Sequence, residues 1–473
     1  MELTLQNIGI INNAEIDLNG LTVICGTNNS GKSTAGKALY AAIESLNNID
    51  AKFHEELMLN FRRTLLNISR ILDLDSIIRY IDLKKMTSRY DIQLERLITS
   101  PLRYRDIKED TTEMLDEIKS MRFALENLNA QILLDCATKS KSELPKRVIA
   151  YLNNFDEEKE KALSLIGDMS RFSFENDLKG FAEKSLSSLL SKEFNGQIFP
   201  INLKTREKKS YIRLTKNEEI GLDATIIEKK DISVTIKSDY KLFVSNAIYI
   251  EDPYILDKLS VYDDDEFLGM YRYQIGINRF DYSHNSKLNR LLMKKGATSL
   301  IERSINEAKY NQIIKKINEV IPGTITKKEN GFYYEEPNKM PLKVQNLATG
   351  AKMFSIIRNL IEKGEVNFDT VLILDEPEAH LHPEWQNIFA EIIVLLIKEL
   401  NTTVLLTTHS PTFLMALEAY SKRYQLRERA AFYISKHNEN NYTVNYENVS
   451  GRVSEIYSTF AIPLIQSKKL KDN

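Results

Sequence analysis

Two short segments at opposite ends of the chain constrain everything between them. Gly26-Thr27-Asn28-Asn29-Ser30-Gly31-Lys32-Ser33-Thr34 stands near the start, and Val371-Leu372-Ile373-Leu374-Asp375-Glu376-Pro377-Glu378 near the end. The first fits G-x-x-x-x-G-K-[ST], a loop whose backbone cradles phosphate. The second is an apolar run that ends in two adjacent carboxylates. They read as two halves of one nucleotide site, so the fold must bring the two ends of the chain together.

The surroundings of the loop support that reading. Leu21 to Cys25 is a short continuous apolar run, read as a strand, and a helical pattern begins at Thr34. Such a match arises by chance in about one or two in a hundred chains of this length, and the strand-loop-helix setting lowers that further. Gly26 and Gly31 let the backbone curl until its N–H groups face a phosphate. The positive end of the following helix adds to the field. Gly26, Asn28, Asn29, Ser30, Gly31, Lys32, Ser33 and Thr34 are therefore the candidate ATP-binding residues. Lys32 would bridge the outer phosphates and the Ser33 hydroxyl would coordinate Mg2+.

The carboxylates complete the chemistry. Leu372 to Leu374 is apolar throughout, as a parallel strand buried on both faces is. Thr403 to Leu406 reads as a second such strand, with a helix from about Glu384 to Leu400 between them. Carboxylates at the carboxyl end of a parallel strand lie where open α/β sheets bind ligands. Asp375 would hold Mg2+ through water, and Glu376 would orient or deprotonate an attacking water. Three further pieces fit the same site. Thr349-Gly350 opens a helix and makes a second anion site. His409, in Thr407-Thr408-His409-Ser410-Pro411, would sit near the γ-phosphate. Glu378-Ala379-His380-Leu381-His382-Pro383 has a metal-like spacing, but Pro383 suits the first turn of the next helix better.

The rest of the chain divides by pattern. Glu2 to Ile8 and Ala14 to Leu18 alternate apolar and polar residues, as half-buried strands do. Between Gly36 and Gly167 there is no glycine and the only prolines are Pro101 and Pro145. Leu65, Ile68, Ile71 and Leu72 recur at helical spacing, and no heptad persists, so the segment predicts a helical insertion rather than a coiled coil. Strands are expected over Gln197–Leu203, Ser210–Leu214, Ile232–Ile236 and Phe243–Ile250, with another over Asp223–Glu228. A helical stretch from about Lys287 to Val320 and a hairpin at Asn330-Gly331 follow, then strands at Ala431–Ser435 and Tyr442–Tyr446 and a helix at Val453–Phe460. The expected domains are 1–48 and 281–473 as the two parts of one α/β head, 49–192 as the helical insertion and 193–280 as a β-rich lobe.

Composition excludes several classes. Lys+Arg 64 against Asp+Glu 66 leaves a net charge of −2, which gives no general drive toward nucleic acid. Two cysteines, Cys25 and Cys136, make no disulfide framework. Met1-Glu2-Leu3-Thr4 does not read as a signal peptide, and no apolar run is long enough to span a bilayer. The expectation is a cytoplasmic protein without membrane contact. Arg103-Tyr104-Arg105 and Lys204-Thr205-Arg206-Glu207-Lys208-Lys209 would be the runs to touch nucleic acid. They read as solvated charged faces, and Asp263-Asp264-Asp265-Glu266 reads as a surface loop.

With these motifs in order, the chain resembles an ABC-type ATPase head, and more narrowly the RecF/SMC/OLD-like branch. Leu347-Ala348-Thr349-Gly350 is signature-like, and Asp375-Glu376-Pro377-Glu378-Ala379-His380-Leu381-His382-Pro383 and Thr407-Thr408-His409-Ser410-Pro411 are typical of that branch. The resemblance covers roughly the first 50 and the last 230 residues. It implies a P-loop parallel sheet with an antiparallel β lobe, carrying a long α-helical insertion. It implies ATP and Mg2+, and two heads sandwiching ATP. Thr349 and Gly350 would then act across a homo-oligomer interface, while Lys32, Ser33, Asp375, Glu376 and His409 act within one subunit. The chain departs from the pattern at Thr349, where serine is usual, and at Lys352, where glutamine or glutamate is common. No glutamine loop is found; Ala247–Ile250 followed by Glu251-Asp252-Pro253 lies in the right region without one. The segment from Ser410 to Asn473 leaves no room for a nuclease domain. The chain is similar to stand-alone ATPase subunits of anti-phage systems such as PARIS and Septu, which implies a separately encoded effector, often a nuclease. A RecF- or SMC-like DNA-repair ATPase is the alternative. A transporter's nucleotide-binding domain is the weakest reading, because of the large insertion and the form of the signature.

Overall fold

In the computed structural model the described residues are 1–72, 111–128, 130–131, 133–134, 146–170, 174–200, 209–228, 232–237, 240–241, 243–259, 282–294, 300–438 and 443–461. Arg103-Tyr104-Arg105, Lys204–Lys208, Asp263–Glu266, Cys136, Pro101 and Pro145 lie outside them. The chain divides into two compact units, one of Met1–Asn47 with Ala182–Asn473 and the other of Asn48–Phe181. The second unit is helical where described, with helices at Ile49–Ile71, Thr111–Glu126 and Lys146–Ser170 and the start of another at Phe174–Glu193.

The first unit is built on one mixed sheet. Its strands in chain order are β1 (Glu2–Ile8), β2 (Ile11–Asp17), β3 (Leu21–Cys25), β4 (Lys209–Lys216), β5 (Glu219–Glu228), β6 (Ile232–Ile236) and β7 (Asn246–Ile250). A separate three-stranded sheet holds β8 (Thr324–Lys328), β9 (Gly331–Glu335) and β10 (Leu342–Lys343). The large sheet resumes with β11 (Thr370–Asp375), β12 (Thr403–Thr408), β13 (Ala430–Asn438) and β14 (Thr443–Asn448). Its spatial order is β6-β5-β4-β1-β2-β14-β13-β3-β12-β11-β7. The two ends of the chain therefore interleave, and the α/β class read from the sequence is the one observed.

Burial explains the parallel half. β3 is buried at every position, and β11 and β12 at all but one terminal residue each. Alternate residues point to opposite faces. Leu21, Val23, Cys25, Leu372, Leu374, Val404 and Leu406 join one core with the helices Thr349–Glu362, Pro383–Leu400 and Pro411–Arg423. On the other face lies the helix Lys32–Leu46, where a Cβ on Gly36 would stand 3.1 Å from Ile373 Cγ2. Each such Val, Leu or Ile contributes about 1.5–3 kcal/mol on full burial, and two-faced burial is what fixes the register of these strands.

The antiparallel half is β1 paired with β2 and β4, and β5 paired with β4 and β6. Three expectations change here. β7, which the sequence pattern groups with the β-rich lobe, pairs parallel with β11 at the opposite edge of the sheet. The expected strand at Gln197–Leu203 is absent over 197–200, which is irregular, and the remainder lies outside the described residues. The helical stretch expected from Lys287 is two helices, His284–Met293 and Leu300–Asn318.

Candidate functional site

The phosphate loop leaves the carboxyl end of β3. A Cβ on Gly26 would fall 2.0 Å from Ser435 Oγ and 2.7 Å from Ser30 Oγ, so a side chain there would force both serines to move. Asn29 and Gly31 have φ of 59° and 78°, a left-handed geometry that turns successive N–H groups inward. Gly31 is the N-cap of the Lys32–Leu46 helix; no side chain caps that helix and no acidic residue occupies its first turn. Its N-terminal donors thus suit an anion. Lys32 is buried, and its Nζ donates to Gly26 O at 3.1 Å and Thr27 O at 2.9 Å. Ser30 Oγ is buried without a hydrogen-bond partner. Thr27, Asn28 and Asn29 are exposed, while Ser33 and Thr34 are half-buried. Thr34 lies against Gly9, 3.4 Å from the position of a Cβ there.

Strand register brings the carboxylates to this loop. β12 lies between β3 and β11, with Thr408 opposite Cys25 and Thr407 opposite Asp375. Thr407 Oγ1 donates to Asp375 Oδ1 at 2.5 Å, and Tyr249 of β7 donates its phenol to Asp375 Oδ2 at 3.2 Å. Burial and the Asp375 charge push the Tyr249 hydroxyl well above its ordinary pKa. Glu376 has φ of 46°, a conformation that is costly without a supporting contact, and its N–H donates to Thr407 Oγ1 at 3.0 Å. Its two oxygens lie 3.3 Å from Lys32 Nζ and 3.2 Å from His409 Nδ1. Lys32, Glu376 and His409 thus meet, while Ser33, Asp375 and Glu376 line one cavity of about 560 Å³ with Glu251, Tyr254 and His380.

The metal-like run disperses. Glu378 is only 2% exposed, and its Oε1 accepts from Thr408 Oγ1 at 2.5 Å and from His409 N at 3.3 Å. Burial raises its carboxyl pKa, and burial likewise raises the neighbouring Cys25 thiol, helped by the Glu378 charge. His382 caps the next helix, accepting from Glu384 N at 3.4 Å, with Pro383 in its first turn. Among the described residues no cluster of three His, Cys, Asp or Glu side chains suits a metal ion.

Thr349 and Gly350 line a separate hollow with Ala348, His380, His382 and Trp385. The helix that begins at Thr349 also has no side-chain cap and no acid in its first turn. A Cβ on Gly350 would stand 3.1 Å from His380 O and 3.2 Å from Trp385 Cε3, so the glycine permits a close approach. Tyr254 lies 3.1 Å, oxygen to oxygen, from Thr349 Oγ1. Lys352 is buried and pairs with Asp257 at 2.6 Å, beneath the Tyr254 ring.

Several residues of this constellation escape sequence reasoning. Tyr249, Glu251 and Tyr254 carry no motif. The one signal was position: Ala247–Ile250 followed by Glu251-Asp252-Pro253 has the shape of a strand end at a ligand crevice.

A glycine loop on an uncapped helix, beside paired carboxylates at the end of a neighbouring parallel strand, defines a nucleotide-binding α/β head. The chain belongs to the AAA ATPase domain family, whose model matches residues 1–414. No curated protein sequence matches it. Among solved structures it is similar to the SMC head domain from Thermotoga maritima, at 10% identity over 95% of this chain and 98% of that one, with a TM-score of 0.36. It is also similar to the Smc head domain with an extended coiled coil from Pyrococcus furiosus, bound to the C-terminal domain of ScpA, at 10% identity over 97% and 98%, with a TM-score of 0.32. The Smc head with a coiled coil and joint from Pyrococcus yayanosii gives 11% identity over 97% and 98%, with a TM-score of 0.34. Among the described residues no helix is long and apolar enough to cross a membrane.

Proposed function

We propose that the chain binds ATP with Mg2+ and hydrolyses it in a site completed by a second copy of itself. The observation that carries this reading is the meeting of Lys32, Glu376 and His409 beside the uncapped helix at Gly31. The donor set fits a triphosphate: left-handed backbone at Asn29 and Gly31, a buried lysine, and a buried Ser30 hydroxyl without a partner. Lys32 would exchange the Gly26 and Thr27 carbonyls for phosphate oxygens, releasing Glu376 from its ion pair. Ser33 and Asp375 would hold Mg2+, which neutralises charge on the phosphate oxygens when bound. Glu376 then orients a water and takes its proton, and His409 stands beside it toward the γ-phosphate. The Thr349 hydroxyl and the bare helix behind it would meet the phosphates held by the other copy.

We propose further that ATP-dependent assembly of heads controls a separately encoded effector in anti-phage defence. Support comes from the likeness of the Asp375–Pro383 and Thr407–Pro411 motifs to the RecF/SMC/OLD-like branch, combined with a helical insertion, the combination in which the chain resembles stand-alone ATPase subunits of such systems. Lys32→Ala is expected to abolish phosphate release from ATP in the purified chain; unchanged turnover refutes the site. Glu376→Gln is expected to bind ATP without turnover and to double in mass by light scattering. A monomer under saturating ATP refutes the two-copy site. Mass spectrometry of the native complex tests the effector, and recovery of the chain alone counts against it.

A further inference from the structure

We propose that His284 is a positioning residue for the nucleotide pocket, tying Glu251 on the cavity wall to Glu193 at the end of the 174–193 helix. This rests on the ATP-hydrolysis reading above for its kinetic consequence, but the contacts stand by themselves. His284 is buried at the start of its helix. Its backbone N–H donates to Glu193 Oε1 at 2.9 Å, and its Nδ1 lies 2.5 Å from Glu193 Oε2. Its Nε2 lies 3.1 Å from Glu251 Oε2, and the other oxygen of Glu251 is 2.9 Å from Lys37 Nζ on the phosphate-loop helix. The His284 ring also lies against Tyr249, centroids 4.7 Å apart, and Tyr249 donates to Asp375. One imidazole therefore touches the Glu251 carboxylate on the cavity wall and the buried ring whose phenol bonds Asp375.

The arrangement favours a charged ring. Nδ1 bonds Glu193, while Nε2 stands at ion-pair distance from Glu251 without an aligned hydrogen bond, and two carboxylates at one ring favour imidazolium over neutral imidazole. Burial pulls the His284 pKa down, but the Glu193 and Glu251 carboxylates outweigh it and raise the pKa to about 9. Glu251 answers in the opposite sense: the His284 contact and then Lys37, against burial, hold it at about 2. The other groups facing the ring are Tyr40, edge-on at 6.1 Å, and Tyr249. On its own helix Lys287 is engaged by Glu44 and Asn246.

The test is the pH dependence of kcat/KM for MgATP hydrolysis by the full chain, with Glu193→Gln as the main variant because Glu193 does not line the cavity. The parent should lose activity as pH rises through about 9. Glu193→Gln removes one of the two carboxylates that favour imidazolium, so this limb should move about one pH unit toward neutral. His284→Gln should remove the limb, lowering kcat about tenfold with little change in the KM for ATP. A merely structural histidine would leave the limb where it is. A second measurement needs no turnover: carbon NMR of ring-labelled histidine, with six histidines in the chain and the His284 signal identified by its loss in His284→Gln. Titration near about 9 in the parent, lowered by Glu193→Gln, supports the proposal. Titration near the ordinary value of about 6.5, or a limb unmoved by Glu193→Gln, overturns it. If Lys32→Ala keeps full turnover, the hydrolysis reading fails, and the NMR titration still decides the His284 contacts.

Discussion

Lys352 gives the sharpest test of how the Thr349–Gly350 segment is held. It is 2% exposed, while its partner Asp257 is 30% exposed. Its Nζ lies 2.6 Å from Asp257 Oδ1, 3.3 Å from Gln345 O and 5.1 Å from the Tyr254 ring centroid. The difference in burial makes the two halves of this pair unequal. Asp257→Asn leaves a buried ammonium with an amide oxygen, a carbonyl and a ring face; breaking a buried pair this way costs about 3–5 kcal/mol, and the retained amide oxygen places it near 3, as an order of magnitude. Lys352→Met removes the buried charge and keeps the unbranched volume, and Asp257 turns to water. Its cost is expected within about 1 kcal/mol. Trp385 is the only tryptophan in the chain, and it lies edge-on at 5.8 Å to Phe354 of the Thr349–Glu362 helix that carries Lys352. Urea unfolding followed by its emission therefore reports on this part of the head. With an m-value of about 3 kcal/mol/M, a 2 kcal/mol gap separates the two midpoints by about 0.7 M. Equal midpoints, or a lower one for Lys352→Met, would refute the claim that desolvation of Lys352 governs the pair.

Glu378→Gln should hold the parent's structure, since an amide oxygen still accepts from Thr408 and His409. Because burial raises the Glu378 pKa in the folded state, its ionised form costs stability at high pH, and that cost fades as pH falls and the carboxyl protonates. The variant should therefore gain on the parent in thermal scans at pH 8 and lose that advantage toward pH 5; a constant difference would contradict this. Gly26→Ala should destabilise by about 1–3 kcal/mol through its approach to Ser435. Adding Ser435→Gly should recover part of that in the same unfolding assay, whereas no recovery would place the strain elsewhere. Thr349→Arg should block turnover while a single copy still binds a fluorescent ATP analogue, and normal turnover would reject a role for Thr349 toward the second copy.

What the sequence made legible was local. β3 and β6 fall at the expected residues, because a short apolar run ending at a glycine, and a β-branched run, each specify burial by themselves. The loop and the carboxylates were legible for the same reason: their chemistry lies within a few residues. Partners far apart in sequence were not legible. β13 and β14 enter between β2 and β3, and nothing in their alternation says which neighbour they choose. β7 stands beside the lobe strands in chain order, yet its burial is continuous where β4 and β6 alternate, and it pairs with β11 because both its faces must be covered. His284 and Glu193 carry no pattern, since their pairing is a product of packing. Lys352 read as a departure from a motif, and only its contact with Asp257 gives it a reason.

The adjacent threonines of β12 explain how Glu376 comes to face Lys32. Neighbouring strand residues point to opposite faces of a sheet, so Thr407 and Thr408 reach different parts of the segment that leaves β11. Thr407 takes Asp375 and receives the N–H of Glu376, whereas Thr408 takes Glu378 two residues further on. The segment is fastened at both ends by one strand, and Glu376 between them is held in a left-handed turn. That turn places its carboxylate between Lys32 and His409. A hydroxyl at only one of the two positions would leave one carboxylate without that partner, and the turn free to relax toward the ordinary β or α region. Thr407→Val keeps the shape and removes the hydroxyl. It is therefore expected to lower kcat far more than it lowers ATP affinity, because it releases Glu376 and one oxygen of Asp375 without touching the phosphate loop. Equal losses in kcat and in ATP affinity would show that Thr407 serves the sheet rather than the aim of Glu376.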